Sequence, residues 1–236
     1  MEYLSWDSSF FKMEIFKLNI ESEFSTKSLK DLLPKKYDLV YIISSRNFFG
    51  NRITDTKQTF SCADFKVISN TNIKFSNVEI EEFDNSKLKI DKLYNLSIQS
   101  GIHSRFKRDQ FFSQVQFEEL YKKWIRNSVE DESKKVLVSI LNKSIVGFVS
   151  YHTNGNNLVI ELLAVDQKYR GKAIGSSLIN TLKKIAQEKQ LCEIEVVTQG
   201  VNLSAIKFYA KNKFKLKDTQ YIFHYWNPKK KHEYTI

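Results

Sequence analysis

The sequence predicts an α/β (α+β) chain, with a central mixed, largely antiparallel sheet flanked by helices and a smaller N-terminal α/β unit. Three observations carry this. At 236 residues with 42% hydrophobic and 14% aromatic content, the chain is long and apolar enough to bury a sizeable core. Three apolar, β-branched segments follow one another across short polar turns. The chain then closes in the order strand, helix, strand, helix, strand.

Taken in order, "MEIFKLNI" and "YDLVYIIS" read as strands, with "STKSLKDLL" between them as a short helix. "TFSCADFKVIS" adds a strand-like piece, and the polar "SNTNIKFSN" at residues 69–77 marks a boundary. Residues 1–72 and 73–236 are the two expected units. In the second, "VEIEEF" is a short strand, "NSKLKIDKLYNLSIQSG" a helix ending at Gly101, and "FEELYKKWIRNSVE" an amphipathic helix. "KKVLVSIL", "SIVGFVSYHT" and "NLVIELLAVD" are strands joined through "NK" and "NGNN". A helix over 175–189, the strand "CEIEVVT", a helix from Asn202 to Asn212 and the strand region "YIFHYW" complete the order.

Several function classes are disfavoured. The formal charge of +10 is mostly lysine spread along the chain, without an arginine-rich helix or a nucleic-acid-binding motif, so nucleic acid is not an expected partner. Apolar runs are short, so no membrane insertion is expected, and the start lacks a secretory layout. Two cysteines, Cys62 and Cys192, and 4 His make neither a disulfide framework nor a metal cluster. The expected setting is the reducing cytoplasm, with no metal.

The stretch "LLAVDQKYRGKAIGSSLINTLKKIA" carries the first chemistry. A strand runs into basic and glycine residues, and a helix follows at once. The first N–H groups of a helix lack internal partners, and its dipole favours an anion. Gly171, Ala173 and Gly175 leave the backbone bare, while Arg170 and Lys172 add countercharge. A phosphate or pyrophosphate suits such a place; an ordinary strand-to-helix turn is the alternative.

Arg-x-x-Ala-x-Gly at residues 170–175 resembles the acetyl-CoA signature of the GNAT superfamily of N-acetyltransferases, with Ala173 in place of its middle glycine. The resemblance implies that backbone amides of Arg170, Gly171, Lys172, Ala173, Ile174, Gly175 and Ser176 hold the CoA pyrophosphate. It also implies that Leu163, Ala164 and Val165 pair with the pantetheine arm. The later "VVTQGVNLSAIKFYAKNKF" narrows it: Thr198, Gln199, Asn202 and Tyr209 resemble positions of the bacterial TDP-4-amino-4,6-dideoxyhexose N-acetyltransferases, the TDP-fucosamine acetyltransferase family. "WDSSFF", "DTKQTF", "HSRF" and "LYKKWI" extend that likeness over most of the chain.

Acyl transfer to an amine expels a thiolate that needs a proton, and a phenol is protonated at neutral pH. Tyr209 is therefore the candidate general acid, as the resemblance also implies; a packed core tyrosine is the alternative. Asn202, seven residues earlier on the same helical face, is read either as a pantetheine contact or as a helix cap. Glu161 is the candidate base, directly or through water, against a solvated strand-end carboxylate. His103, His152 and His224 show no visible partner in sequence. Lys57 and Arg105 are candidate phosphate or sugar contacts, and Trp6 and Asp7 candidate borders of the acceptor cleft.

The expected function is transfer of acetyl from acetyl-CoA to a TDP-linked amino sugar for surface polysaccharide, with a homodimer as the assembly considered. A protein terminus or small amine as acceptor, or a non-catalytic CoA sensor, are the alternatives.

Overall fold

In the computed structural model, residues 1–21, 29, 31–66 and 78–229 are described. From Glu79 onward the expected order of elements is present, while the strand expected over "TFSCADFKVIS" begins earlier and ends at Cys62. The N-terminal strands are β1 (Glu2–Tyr3), β2 (Ile15–Ile20), β3 (Leu39–Ser44) and β4 (Asp55–Cys62), followed by β5 (Glu79–Glu82). Helix α1 (Ser5–Phe11) stands between β1 and β2 and has no counterpart in the sequence reading. Then come α2 (Asp91–Ser100), the single turn α3 (Arg105–Arg108) and α4 (Gln114–Glu130). Strands β6 (Lys134–Leu141), β7 (Ser144–Asn154) and β8 (Asn157–Val165) lead to α5 (Ile174–Glu188). Strand β9 (Glu193–Gln199), α6 (Leu203–Lys211) and β10 (Lys215–Trp226) finish the chain. The expected boundary at 69–77 and most of "STKSLKDLL" lie outside the described residues.

All ten strands join one sheet in the order β1-β2-β3-β10-β4-β9-β8-β7-β6-β5. Only β2·β3 and β8·β9 pair in parallel among the described strands. The long C-terminal β10 is the seam. It runs between β3 and β4, pairing Tyr221 to Trp226 with Ser44 to Leu39 and Lys215 to Ile222 with β4. Because β4 also pairs with β9, sheet hydrogen bonding runs unbroken from the N-terminal strands into β6–β9.

Alternation along the strands fills both faces. Phe148 and Ala164 pack with Leu93, Leu96 and Ile125 of α2 and α4, while Val149 and Ile160 pack with Leu178, Leu182 and Tyr209 of α5 and α6. Helix α4 reaches past this core to cover Tyr41 and Trp226 through Phe117, Leu120 and Tyr121. Its start is fixed by a capping box: Ser113 Oγ accepts from Gln116 N–H, and the Gln116 side chain accepts from Ser113 N–H. No helix among the described residues is long and apolar enough to cross a membrane.

Candidate functional site

Strands β8 and β9 pair only from Asn157·Glu193 to Ile160·Val196. Beyond that point both continue without pairing to each other, and the sheet opens into a wedge. A β-bulge sits at the same place, because Ser150 opposes Leu162 while Tyr151 opposes Ile160, leaving Glu161 unpaired. The buried Ser150 Oγ accepts from Leu162 N–H at 3.2 Å, satisfying one amide beside the bulge. The wedge opens into a cavity of about 700 Å³ that reaches both faces of the sheet. On one side it is lined by Asn202, Ala205 and Tyr209 of α6, and on the other by Tyr121, Trp124 and Ser128 of α4.

At one end of the wedge is the basic and glycine stretch. Gly171 has φ +73° with open space at its Cβ position, as a left-handed turn residue needs. Ala173 is also left-handed, at φ +65°, and caps α5 without a side-chain acceptor. The sequence reading noted an alanine where the family signature has glycine, and this backbone conformation is the physical reason for glycine there. Ala173→Gly is expected to stabilise the fold by about 1 kcal/mol, since L-residues pay that order of cost in the left-handed region. Chemical denaturation of the two proteins measures it.

Gly175 has a different reason. It is buried, and a Cβ there would lie 3.1 Å from the Phe208 ring, so the glycine admits α6 against α5. Its side is closed by Phe208, not an open surface, while its main chain stands in the first turn of α5. The Ile174 side chain is also buried, leaving only its main chain to offer. Ser176 is buried, Arg170 is exposed, and Lys172 Nζ sits 5.3 Å from the Tyr169 ring. Arg170 Nε donates to the Val165 carbonyl at 3.0 Å, pinning the turn to the end of β8.

Leu163, Ala164 and Val165 pair with Val149, Phe148 and Gly147 of β7 on one edge. Their other edge faces the wedge, where β9 has already diverged, so an extended chain could add there by main-chain hydrogen bonds. Asn202 caps α6: its Oδ1 accepts from Ala205 N–H at 3.1 Å and Ser204 Oγ at 2.9 Å. It also lines the cavity. Both readings of Asn202 are thus open to it at once.

Tyr209 lines the same cavity while its ring packs near Phe60 and Phe214. Burial pushes its phenol well above the ordinary value of 10, so the hydroxyl holds its proton. Glu161 is not a solvated strand-end group. It accepts from Lys134 Nζ at 2.6 Å and Ser128 Oγ at 2.9 Å, with His152 Nδ1 at 3.4 Å.

At the other end of the cavity the N-terminal strands form the floor. Asp55, Ile222 and Ile43 are successive cross-strand neighbours on β4, β10 and β3, and all three line it. Lys57, Arg105 and Asp7 line this half. Trp6 does not; it stacks on Phe10 at 5.3 Å and borders no part of the cavity. The lining residues not singled out in sequence include Tyr41, Asp55 and Ser104, each an unremarkable polar position in its own segment.

A buried polar group also corrects the view of His224 as unpartnered. Its Nδ1 lies 2.6 Å from Asp109 Oδ2, which accepts from Trp226 Nε1 as well, at 2.8 Å. Asp109 is 115 residues away in sequence, so no local pattern could reveal it. Among the described residues, no group of His, Cys, Asp and Glu is arranged to hold a metal.

Residues 100–214 match the acetyltransferase (GNAT) family. Streptothricin acetyltransferase A of Bacillus subtilis (strain 168) is 34% identical over 87 residues, 36% of this chain and 50% of that protein. The spore coat polysaccharide biosynthesis protein SpsD of the same organism is 23% identical over 136 residues, 58% of this chain and 47% of that protein. The chain thus spans about half the length of these curated relatives. The fold is shared with the PaiA N-acetyltransferase of Thermoplasma acidophilum, solved in complex with coenzyme A, at a TM-score of 0.51 and 20% identity. That likeness covers 99% of the Thermoplasma chain but 64% of this one.

Proposed function

We propose, from the match of residues 100–214 to the GNAT acetyltransferase family, an acetyl-CoA-dependent N-acetyltransferase acting on the 4-amino group of a TDP-4-amino-4,6-dideoxyhexose. Acetyl-CoA is the acyl donor that this family uses. One observation carries the reading: where β8 and β9 part, the free edge of β8 and Tyr209 border one cavity, and the turn that Arg170 pins to the end of β8 leads directly into α5.

The residues fit that donor. The first N–H groups of α5, left without a side-chain cap, suit its pyrophosphate, with Arg170 and Lys172 nearby. The free edge of Leu163 to Val165 suits its amide-bearing arm. The acceptor nitrogen attacks the thioester carbon, the C–S bond breaks, and the sulfur leaves as thiolate. Tyr209 gives that sulfur its proton. Its raised pKa alone would make it a reluctant donor, but a thiolate in the same apolar surroundings is equally short of solvation and holds a proton more tightly. Before the attack the acceptor ammonium loses a proton through water toward Glu161, which also accepts from Lys134 and Ser128, and the free amine is the nucleophile.

The acceptor assignment rests on the N-terminal strands and on the SpsD likeness. A fold neighbour lacks counterparts for a third of this chain, and the N-terminal strands here build the cavity floor. Lys57 and Arg105 would hold the nucleotide sugar, and the reaction would take place in the cytoplasm, supplying surface polysaccharide. Lys57→Ala and Arg105→Ala are expected to raise KM for the TDP-amino sugar about tenfold, leaving KM for acetyl-CoA within about twofold. Added salt should weaken the Lys57 contribution, as this side chain is partly exposed. Steady-state kinetics of the folded variants tests this; unchanged acceptor KM in both would reduce the N-terminal strands to a brace. A small polyamine is the second reading, favoured by the carboxylates of Asp7 and Asp55 in the same half.

A further inference from the structure

The inner end of the acceptor half holds polar side chains that approach one another without closing. Arg105 has its guanidinium 5.0 Å from the Tyr41 ring and 4.5 Å from that of Phe106. Its charge acts on both Asp7 and Asp55, yet among the described residues no ion pair joins it to either. The Tyr41 hydroxyl faces Asp7 and the Ser104 hydroxyl faces Tyr121, but neither makes a hydrogen bond of ordinary geometry. Tyr41 and Ser104 are 2% and 4% exposed, and Arg105 Nε is buried and unpaired as well. Asp55 is 5% exposed, with Oδ1 taken by Thr56 N–H at 2.8 Å.

More than nine in ten buried polar groups in proteins find a partner. Three unpaired atoms on lining residues of one cavity end therefore imply a ligand that supplies the partners. Its chemistry follows from theirs. Two carboxylates accept, while Arg105 Nε donates, and the hydroxyls of Tyr41 and Ser104 do both. A phosphate would meet Asp7 and Asp55 with like charge, and an alkyl ammonium would leave the Arg105 and Ser104 donors unpaired. A ring bearing several hydroxyls offers donors and acceptors together, and the partly exposed ring of Trp124 suits its apolar side.

We propose that Asp7, Tyr41, Asp55, Ser104 and Arg105 form a subsite for the hydroxylated sugar ring of the acceptor, with Asp55 and Ser104 as specificity-determining residues. This rests on the acetyltransferase reading and places the ring, not the diphosphate, against Arg105. Phosphates would then lie toward Lys57 and Lys17, on the partly exposed side of the cavity.

The test is direct binding of galactosamine to the full chain by ligand-observed NMR, with putrescine and inorganic pyrophosphate as competitors. Coenzyme A titration is run alongside. Galactosamine should bind, Asp55→Asn should weaken it about ten- to a hundredfold, and Ser104→Ala should weaken it less. Neither competitor should displace it, and coenzyme A affinity should be unchanged in both variants. No binding of galactosamine, equal affinity in both variants, or displacement by either competitor would overturn the subsite. Failure of coenzyme A to bind the wild type would instead strike the acetyltransferase reading, so the two failures are distinguishable.

Discussion

Tyr209→Phe is expected to cut turnover about a hundredfold or more while leaving acetyl-CoA affinity unchanged. The substitution removes one hydroxyl from the wedge and keeps the ring that packs against Phe60, Phe208 and Phe214. Stability should therefore hold, and the loss should fall on kcat. The general acid is needed only when the C–S bond breaks, so a defect confined to binding would be the wrong signature. Normal turnover with weakened cofactor affinity would reassign Tyr209 to shaping the cavity wall. Calorimetric titration beside steady-state kinetics separates the two outcomes.

The second large effect concerns stability. Asp109 joins the α3–α4 connection to β10 by accepting from Trp226 Nε1 and meeting His224 Nδ1, and its other oxygen accepts from Phe111 N–H. Asp109→Ala removes the buried acceptor that the Trp226 and His224 ring nitrogens both meet, at a cost of about 3 kcal/mol or more. Urea denaturation of the variant should show a correspondingly lower midpoint. Loss of less than about 1 kcal/mol would mean that the loop simply re-forms around the gap.

The same group sets a pH dependence. Burial holds the His224 pKa below its ordinary 6.5, outweighing the pull of Asp109. The unfolded chain therefore binds the proton first. His224 costs the fold nothing above about 6.5 and erodes its stability as pH falls from there through the lower folded value. Asp109, held below its ordinary 3.8 by hydrogen bonds from His224 against its own desolvation, contributes stability above that value and loses it in stronger acid. Midpoints should fall between pH 7.5 and 5.5, before the carboxylates titrate.

Much of the C-terminal part, from β6 to α5, could be read in the sequence, because it is written locally. The alternation of residues 134–165 and the turns within it fix three strands, and residues 170–175 announce the start of α5. Helix α2 begins at Asp91, later than its apolar pattern implied, since residues 84–90 form turns around Asp84, which accepts from Ser86. Helix α1 went unread because seven residues give too short a window for periodicity. Other features depend on distance along the chain. Asp55 gains meaning only because β10 returns to set Ile222 beside it, and Gly175 only because Phe208 packs onto it. Glu161 reads as a strand-end acid until the bulge turns it to Ser128 and Lys134.

Thiol release from acetyl-CoA on adding a TDP-4-amino-4,6-dideoxyhexose, with the product identified by mass spectrometry, tests the central claim most directly. The account predicts thiol release in step with an N-acetylated sugar nucleotide, reduced about a hundredfold in Tyr209→Phe. Release at the background rate with the amino sugar present, or an acetylated product formed equally well from any simple amine, would contradict it.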